Sequence, residues 1–457
     1  MTQTGRFTRA GISVGPSGAH AAVIDGDRPV AVSRPMPPEP TAVLTAIGAA
    51  TTRFPDLVVV DISDVLLDGV VRAAPEVPQV AVVRIVPRPA TDPALARSPA
   101  DEVERLIRRR FTVPGGHDLL GHELCPIDDA AIAAVCAELV REDVRHVAIV
   151  AAGSQARPEH ERAVADAIQA ALPGARISAA GDFGGQGLVA REATVVFDCA
   201  LGALADHELG RWESALAGRR SSALLRVARG DGGYSMPSRI RTFPSVVLGA
   251  TDALALSGAA HLAGLHDCRV LLPCAESGAA GGLNVRSSVQ VAGDVRNGLP
   301  VVRPGELPGI GTELVVPTAA LAPEPGPGQP RHRWPSADVP VAIPTRSLPE
   351  LASVGAAIAR PMAWLDEVAF IESAAQLDRI RRDAEERATG IVMANGAAPG
   401  TAHLTELSTV AVPYSPSGTV RIRVRVVGAD DPSAQPAEPA GPALGSGAGC
   451  SAPEKRP

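Results

Sequence analysis

Two glycine-containing turns have the composition of phosphate-binding hairpins. They lie in GISVGPSGAHAAVIDGD (residues 11–27) and RVLLPCAESGAAGGLNV (residues 269–285), and strand-like apolar runs flank both. Such a turn can bind phosphate through backbone N–H groups, while nearby acids hold magnesium through water. The candidate phosphate contacts are Gly15, Ser17, Gly18, Ser277 and Gly278, together with Gly232 and Gly233 of a later Asp-Gly-Gly turn.

Three further residues have side chains suited to acid–base chemistry. His117 follows two glycines and could serve as a general base near neutral pH. Asp231 could polarise or position a substrate, with the backbone of Gly232 and Gly233 beside it; alternatively, Asp-Gly-Gly forms a tight turn. Glu276 could replace a lost acid in the second glycine turn, or it could be a solvated loop residue.

Two other motifs predict little chemistry. Gly11 to Gly15 match the Gly-x-Ser-x-Gly nucleophile elbow, but a strand-like run follows where the elbow requires a helix, which favours a β-turn. The closest histidine pairs, such as His117 and His122, are five residues apart with no carboxylate pair nearby, so we expect no metal site. The six cysteines form no Cys-x-x-Cys pair, which fits a reducing cytoplasm.

Alternating strand-like and helix-like segments must position these residues. Residues 10–33 predict a β-meander, and later apolar runs predict buried strands, with helices between them and one beginning near Pro158. Those runs are 57–60, 80–86 and 147–150. Near the C-terminus we predict helices over 349–360 and 373–387, then strands over 405–412 and 418–427. The last strand alternates arginine with apolar residues, so we expect one face to be in water.

Composition excludes several classes of protein. A chain of 457 residues exceeds what one core usually supports, and 46% hydrophobic with 20% charged residues is typical of globular proteins. No apolar run is long enough for a membrane span, and a net charge of −7 argues against a nucleic-acid partner. The only lysine, Lys455, stands near the end of the chain, which excludes a P-loop and Schiff-base chemistry. No secretion signal is evident, so we expect a cytoplasmic protein.

The order of several segments resembles the hydantoinase A/5-oxoprolinase family. The first hairpin is similar to the family's opening phosphate hairpin, and later segments resemble its Gly-Gly-His-Glu segment, its Asn-Pro-x-His-Glu helix start, its Asp-Gly-Gly segment, the helix before its second hairpin and its last strands. These segments are GGHDLLGHELCPID (115–128), RPEHERAVADAI (157–168), DGGYSMPSRIRTFP (231–244), GAAHLAGL (258–265) and VAVPYSPSGTVRIRVRVVG (410–428). The resemblance implies ATP-dependent hydrolysis of cyclic amides.

The resemblance also implies the fold. We expect an α/β protein with a duplicated actin-like (ribonuclease H-like) ATPase fold, a small C-terminal α+β segment and a disordered tail. The predicted parts are an N-terminal actin-like domain (8–190), a second domain (191–321), a proline-rich linker (322–336), a C-terminal α+β region completing the fold (337–428) and the tail (429–457). Closely spaced prolines predict the linker, and a shortage of large apolar residues predicts the tail.

The site residues depart from the family pattern. The family's first hairpin is Asp-x-Gly-Gly-Thr with a further Asp, whereas this chain has Ser13 and His20 at the acids and Pro16 at the second glycine. The corresponding positions of the second hairpin are Leu272, Cys274, Ala275, Glu276 and Ala279, again without the two family acids. Magnesium then lacks anionic ligands, and proline lacks an N–H donor. We therefore expect neither ATP nor magnesium to bind.

Two functional hypotheses follow. The first is a non-catalytic binding or assembly subunit, because the apolar pattern of the scaffold persists where the polar site residues do not. The second is an ATP-dependent hydrolase of a cyclic amide that uses Glu276, Asp231 and either His20 or His117 in substituted roles. By resemblance, the expected partners are a second copy of the chain or a second hydantoinase-type subunit, and the ligand is a small cyclic amide.

Overall fold

The computed structural model describes only part of the chain. The described residues are 7–25, 28–32, 35–72, 77–89, 97–98, 101–183, 187–219, 221–265, 268–271, 280–283, 289–291, 312–315, 347–412 and 415–430. Side chains are described in these ranges except at 28–32 and in the four short segments between 268 and 315. The candidates Glu276, Ser277 and Gly278, the predicted linker and the chain beyond residue 430 lie outside the described residues.

Strands and helices alternate through most of the described residues. The strands are β1 (Thr8–Gly15), β2 (Gly18–Asp25), β3 (Arg28–Val32), β4 (Leu57–Asp61), β5 (Val80–Val86), β6 (Ile107–Pro114), β7 (His146–Ala151), β8 (Arg176–Ala179), β9 (Leu224–Ala228), β10 (Tyr234–Ser235), β11 (Cys268–Leu271), β12 (Ala280–Leu283), β13 (Val289–Val291), β14 (Thr312–Val315), β15 (Met362–Phe370), β16 (His403–Ala411) and β17 (Thr419–Val427). The α-helices are α1 (Pro40–Ala50), α2 (Ser63–Val71), α3 (Asp101–Leu106), α4 (Asp129–Arg141), α5 (Glu159–Ala171), α6 (Leu188–Gly218), α7 (Pro237–Thr242), α8 (Ala250–Leu262), α9 (Leu348–Ile358) and α10 (Ala374–Ala394).

The first sheet begins with the predicted meander. Strands β1, β2 and β3 pair antiparallel in sequence, and β4 adds in parallel beside β1. Strands β9 and β10 extend the sheet beyond β4, in the order β10-β9-β4-β1-β2-β3. Every residue of β4 is buried, as expected for a parallel strand covered on both faces.

The same arrangement recurs later in the chain. Strands β11, β12 and β13 form a second antiparallel meander, and β14 pairs in parallel with β11. The order β13-β12-β11-β14 therefore repeats the order β3-β2-β1-β4. This repeat is the duplication that the resemblance implied.

A fully parallel sheet, β6-β5-β7-β8, adjoins the first sheet. Helices α4 and α5 contribute to its own apolar cluster, which includes Val83, Leu139 and Ile149. The 31-residue helix α6 contacts β5, β7 and β8 and also α1 and α2. Its buried residues, such as Phe197 and Trp212, belong to the cluster that contains the meander. Helix α6 thus joins the two sheets in one core.

Helices α8 and α9 pack closely against each other, and α9 also packs against β1. A Cβ atom at Gly355 would collide with the backbone of Leu254, and one at Gly258 with the backbone of Leu351. Glycine at both positions lets the helix backbones approach to this separation. The segment Pro244–Leu262 is long and apolar enough to cross a membrane, but 83% of its most apolar window is buried. Its burial favours a core helix of a soluble protein.

The C-terminal strands form a three-stranded antiparallel sheet, β15-β17-β16, with α10 packed on it. The predicted helices and strands of this region are observed with small shifts of their ends. The expectation that the arginine face of β17 lies in water is wrong. Arg421 pairs with Asp366 of β15, and Arg425 is 0% exposed and lies 3.7 Å from Glu406 of β16. Acids on both flanking strands let the central strand bury its arginines.

The predicted domain boundary at 190/191 lies within a helix. It falls in the first turn of α6, and β9, which follows α6, returns to pair with β4. Residues on both sides of the boundary therefore share one sheet and one core. Sequence periodicity could not reveal this, because parallel pairing joins strands that are far apart in the chain.

Candidate functional site

The first hairpin turns at Pro16 and Ser17, both of which are exposed. Ser13 lies inside β1 rather than at a strand-to-helix turn, so the motif does not form a nucleophile elbow. None of the residues 15–18 has a positive φ. The alternation of right- and left-handed backbone that forms one kind of anion-binding nest is therefore absent from this turn. Gly15, Ser17 and Gly18 make an ordinary two-residue hairpin connection.

A row of three polar residues crosses the sheet next to this turn. In strand register, Ser13 stands opposite His20 on one side and Asp61 on the other. Paired residues point to the same face of a sheet, so these side chains are neighbours. Ser13 lies in the middle of the row, whereas in a catalytic triad histidine bridges serine and aspartate. The row therefore does not have the order of a triad.

Asp61 is the centre of a buried network of hydroxyl groups. One carboxylate oxygen accepts from the backbone N–H and hydroxyl of Ser63, at 3.0 and 2.7 Å. The other accepts from the hydroxyls of Thr251, at 2.8 Å, and Ser13, at 3.4 Å. Asp61 and Thr251 are 0% exposed, and Ser13 and Ser63 are 2% exposed. The network links β1, β4 and the first turns of α2 and α8.

Burial and the nearby Asp64 raise the pKa of Asp61 to about 6. Hydrogen bonds from Ser63 and Thr251 act in the opposite direction because they favour the charged form. The hydroxyl and N–H donors therefore offset only part of the cost of burying the charged form of Asp61.

The residues around the first hairpin do not fit a magnesium–triphosphate group. Hydrated magnesium needs a carboxylate oxygen that reaches its water shell. Asp61 stands beside the position of the lost family acid, but it is inaccessible and its oxygens are already occupied. Pro16 contributes no N–H donor. The turn of the second hairpin, residues 272–279, lies outside the described residues.

His117 lies beside the fully parallel sheet, in the segment between β6 and α4. Its ring is 4.3 Å from that of His160, centroid to centroid, and both histidines are nearly buried. Glu123 approaches His160 Nε2 to 3.2 Å. Burial and the neighbouring His160 lower the pKa of His117. The sequence gives no sign of this pair, because more than forty residues separate its two histidines.

Three potential metal ligands thus come together, yet their hydrogen bonds do not fit a metal ion. The backbone N–H of Gly116 donates to His160 Nδ1 at 2.9 Å, so the ring proton of neutral His160 must be on Nε2. That Nε2 faces Glu123 and donates to its carboxylate. A metal-bound histidine instead donates from its second nitrogen to an outer acceptor. The group is better described as a histidine–carboxylate pair with His117 stacked beside it.

A buried ion pair holds the loop between β7 and α5. This loop lies between the pair of histidines and a cavity. Arg191 donates to Ser154 Oγ at 2.6 Å and lies 3.8 Å from Glu161. Glu161 accepts from the backbone N–H of Ala151 at 2.7 Å and of Gly181 at 2.6 Å. Ser154 and Gly181 line the cavity, and His160 lies in the first turn of α5. One buried pair therefore positions both features.

Asp231 lines this cavity, which has a volume of about 480 Å³. Its carboxylate accepts from Arg229 at 2.8 Å and from the backbone N–H of Gly233 at 3.1 Å. Gly232 has a φ of 85°. Asp-Gly-Gly thus forms a tight turn at the wall of a cavity, so the two interpretations made from the sequence are compatible here.

The predicted site residues do not form one centre. Asp231, with Gly232 and Gly233, belongs to the cavity, His117 to the histidine pair, and Gly15, Ser17 and Gly18 to the hairpin. Sequence reasoning missed Asp61, His160 and Arg239. Asp61 directly follows the apolar run of β4, at the carboxyl end of a parallel strand, where functional side chains often lie.

Comparisons with known proteins agree with the predicted family. Residues 91–172 match the family model "Hydantoinase/oxoprolinase N-terminal region". No curated protein sequence matches the chain. Among solved structures, the ATP-dependent caprolactamase from Pseudomonas jessenii has 12% identity and a TM-score of 0.59, covering 91% of this chain and 87% of that one. A nucleotide-free acetone carboxylase structure has 11% identity and a TM-score of 0.58, covering 93% and 88%.

These matches confirm two predictions. The resemblance to the hydantoinase/oxoprolinase family is confirmed by the family model over residues 91–172. The α/β fold of actin-like type is confirmed by the two solved structures and by the repeated meander.

Proposed function

We propose that this chain, a hydantoinase/oxoprolinase-type protein, acts as a binding or assembly subunit that does not hydrolyse ATP. The observation that carries the proposal is the buried network around Asp61. Hydroxyl groups of Ser13, Ser63 and Thr251 occupy its carboxylate beside the first hairpin. An ATP–magnesium complex would have to find its oxygen ligands elsewhere, because burying its charges without compensation is prohibitive.

The alternative is an ATP-dependent hydrolase of a cyclic amide. It is less well supported, because its proposed groups are apart or already engaged. Arg229 and the backbone of Gly233 occupy the carboxylate of Asp231. His117 stacks on His160 near the other side of the β7–α5 loop, so it does not face Asp231 across one site.

Calorimetry and a phosphate-release assay separate the two functions. We expect no saturable heat on titration of the full chain with ATP and magnesium, and no phosphate release with hydantoin or 5-oxoproline present. An ATP-dependent caprolactamase in the same assay provides the positive control. Micromolar ATP binding, or phosphate release that depends on a cyclic amide, would overturn the proposal.

The partner is a second copy of the chain or a second hydantoinase-type subunit, in the cytoplasm. The edge strand β16 supports association, because Leu407 and Val410 are exposed there at 38% and 57%. Sedimentation of the chain alone and after co-expression with such a subunit measures this directly. A monomer under both conditions would contradict the assembly role.

A further inference from the structure

The cavity beside Asp231 has the size and lining of a small-molecule site. It lies where the β7–α5 loop, the Asp231 turn, α7 and β15 meet, and its volume of about 480 Å³ is within the range of ligand pockets. Apolar side chains form much of its wall. They include Pro158, Phe183, Val246, Leu248, Trp364 and Ile391.

Most of the charged groups that line the cavity are compensated by the protein itself. Arg229 is paired with Asp231 at 2.8 Å, and Arg387 with Glu367. Asp366 is paired with Arg421, which lies outside the cavity lining. A pair of this kind adds little net charge to the cavity.

Asp182 also lines the cavity, and its charge is partly compensated. It is an exposed residue in the turn after β8, and the charge of Arg162 acts on it. Partial burial raises the pKa of Asp182 and the charge of Arg162 lowers it, so Arg162 compensates part of the charge of this acid.

Arg239 is the exception among the cavity's charged residues. No carboxylate of the described residues lies within ion-pair distance of it, and its Nε atom is buried without a hydrogen-bond partner. Its guanidinium sits 5.1 Å above the ring of Phe243. The nearby charge of Arg229 is of the same sign, so it repels Arg239 rather than compensating it. A partly buried cation in this position is costly unless an anion joins it.

We propose that Arg239 binds the carboxylate of a small organic monoanion whose apolar body fills the cavity. A planar guanidinium matches a carboxylate through two parallel hydrogen bonds. One uncompensated positive charge balances one negative charge, which favours a carboxylate over a doubly charged phosphate. Arg229, held by Asp231, lies beside the carboxylate position and adds directional N–H groups. That the molecule is bound rather than hydrolysed rests on the proposed function of the chain as a binding subunit.

Calorimetry on the full chain, without nucleotide, tests the ligand class with matched pairs. The probes are 5-oxoproline against 2-pyrrolidone, which is the same ring without the carboxylate, and benzoate against benzamide. We expect at least one carboxylate to bind, and its neutral counterpart to bind roughly 10- to 100-fold more weakly, as for loss of a charged hydrogen bond. Binding of inorganic phosphate in preference to both carboxylates, or binding of neither carboxylate, would overturn the proposal.

Two variants on α7 test the residue. Arg239→Gln should abolish the preference for the carboxylate and the ligand-induced rise in Tm, while leaving the Tm of the free protein unchanged or higher. Arg241→Gln, two residues away, removes a surface pair with Glu213 and should bind as the parent does. If R239Q lowers the Tm of the free protein and retains carboxylate binding, Arg239 is structural and the proposal fails. ATP titration is a separate measurement, so failure here is distinguishable from failure of the proposed function.

Discussion

Asp61 determines the role of the residues around it, because their hydroxyl groups donate hydrogen bonds to its carboxylate. Ser13 occupies the position where the family has its first acid. The carboxylate of Asp61 stands on the adjacent strand instead. This carboxylate is fully buried. A carboxylate enclosed by four donors links two strands and two helices, and it is unavailable to a metal ion.

The raised pKa of Asp61 predicts a distinctive pH dependence. The folded state retains a proton between pH 3.8 and about 6 that the unfolded state releases, so Asp61's contribution to stability falls as pH rises through that window. In Asp61→Asn this titration is removed. We expect the unfolding free energy of D61N, relative to the parent, to improve by up to about 3 kcal/mol between pH 4 and pH 7.

Urea denaturation at several pH values measures this difference. Asp64→Asn is the matched control, because it removes a neighbouring charge that raises the pKa of Asp61 while keeping the titrating group. A pH-independent difference between D61N and the parent would show that Asp61 titrates normally.

The histidine pair yields a prediction about metal. Since His160 Nδ1 accepts from a backbone N–H, Nε2 carries the proton and cannot bind zinc without losing that hydrogen bond. We expect zinc to leave the Tm unchanged and to bind substoichiometrically in equilibrium dialysis. Stoichiometric zinc that is lost in His117→Ala would show that the pair rearranges into a metal site.

At the level of elements, small residues set the spacing between α8 and α9. Gly355 and Gly258 bring each helix against backbone atoms of the other, and α9 also packs on β1 at Gly11. Ser347 and Glu350 form a capping box that begins α9 at a defined residue. The start and the packing of α9 are therefore both specified locally.

Substituting these glycines should separate the helices. We expect Gly355→Ala to destabilise the protein by about 1–3 kcal/mol or more, because its methyl group meets the backbone of Leu254. Thermal denaturation measures the change. Gly210→Ala, inside α6 with open space around the added methyl group, should instead stabilise by about 0.5–1 kcal/mol. Equal effects of the two substitutions would contradict the close-packing interpretation.

At the scale of the whole molecule, the C-terminal third returns to complete an earlier core. Residues of α9 share an apolar cluster with α8 and with β4 and β10. This cluster lies between the first sheet and helices α8 and α9, which come later in the chain. The folding of the first sheet is therefore coupled to residues more than three hundred positions away.

Truncation tests this coupling. Deletion of residues 347–457 should expose the apolar face of α8 and abolish cooperative unfolding, as followed by calorimetric melting. Deletion of residues 431–457, whose composition predicts no packed core, should leave the Tm unchanged. A cooperative transition in the shorter chain would show that the first core is complete without α9.

Periodicity and punctuation were enough to predict much of the fold. The meander of residues 10–33, the strand at 80–86 and the helix after Pro158 depend on local alternation, turn residues and helix-start preferences. The ordered family segments, which include GGHDLLGHELCPID, identified the relationship that the family model confirms. Such features depend on residues that are close together in the sequence.

Tertiary structure alone decided which side chains meet. Asp61 joins Thr251, His117 joins His160, and Arg425 is buried beside Glu406 of the neighbouring strand, although none of these partners is close in sequence. Only the folded chain places Arg239 at the cavity, where none of the described carboxylates lies within ion-pair distance of it. The reason is physical: local patterns determine how each segment folds, whereas burial, charge compensation and proton position depend on the atoms that packing brings from distant segments.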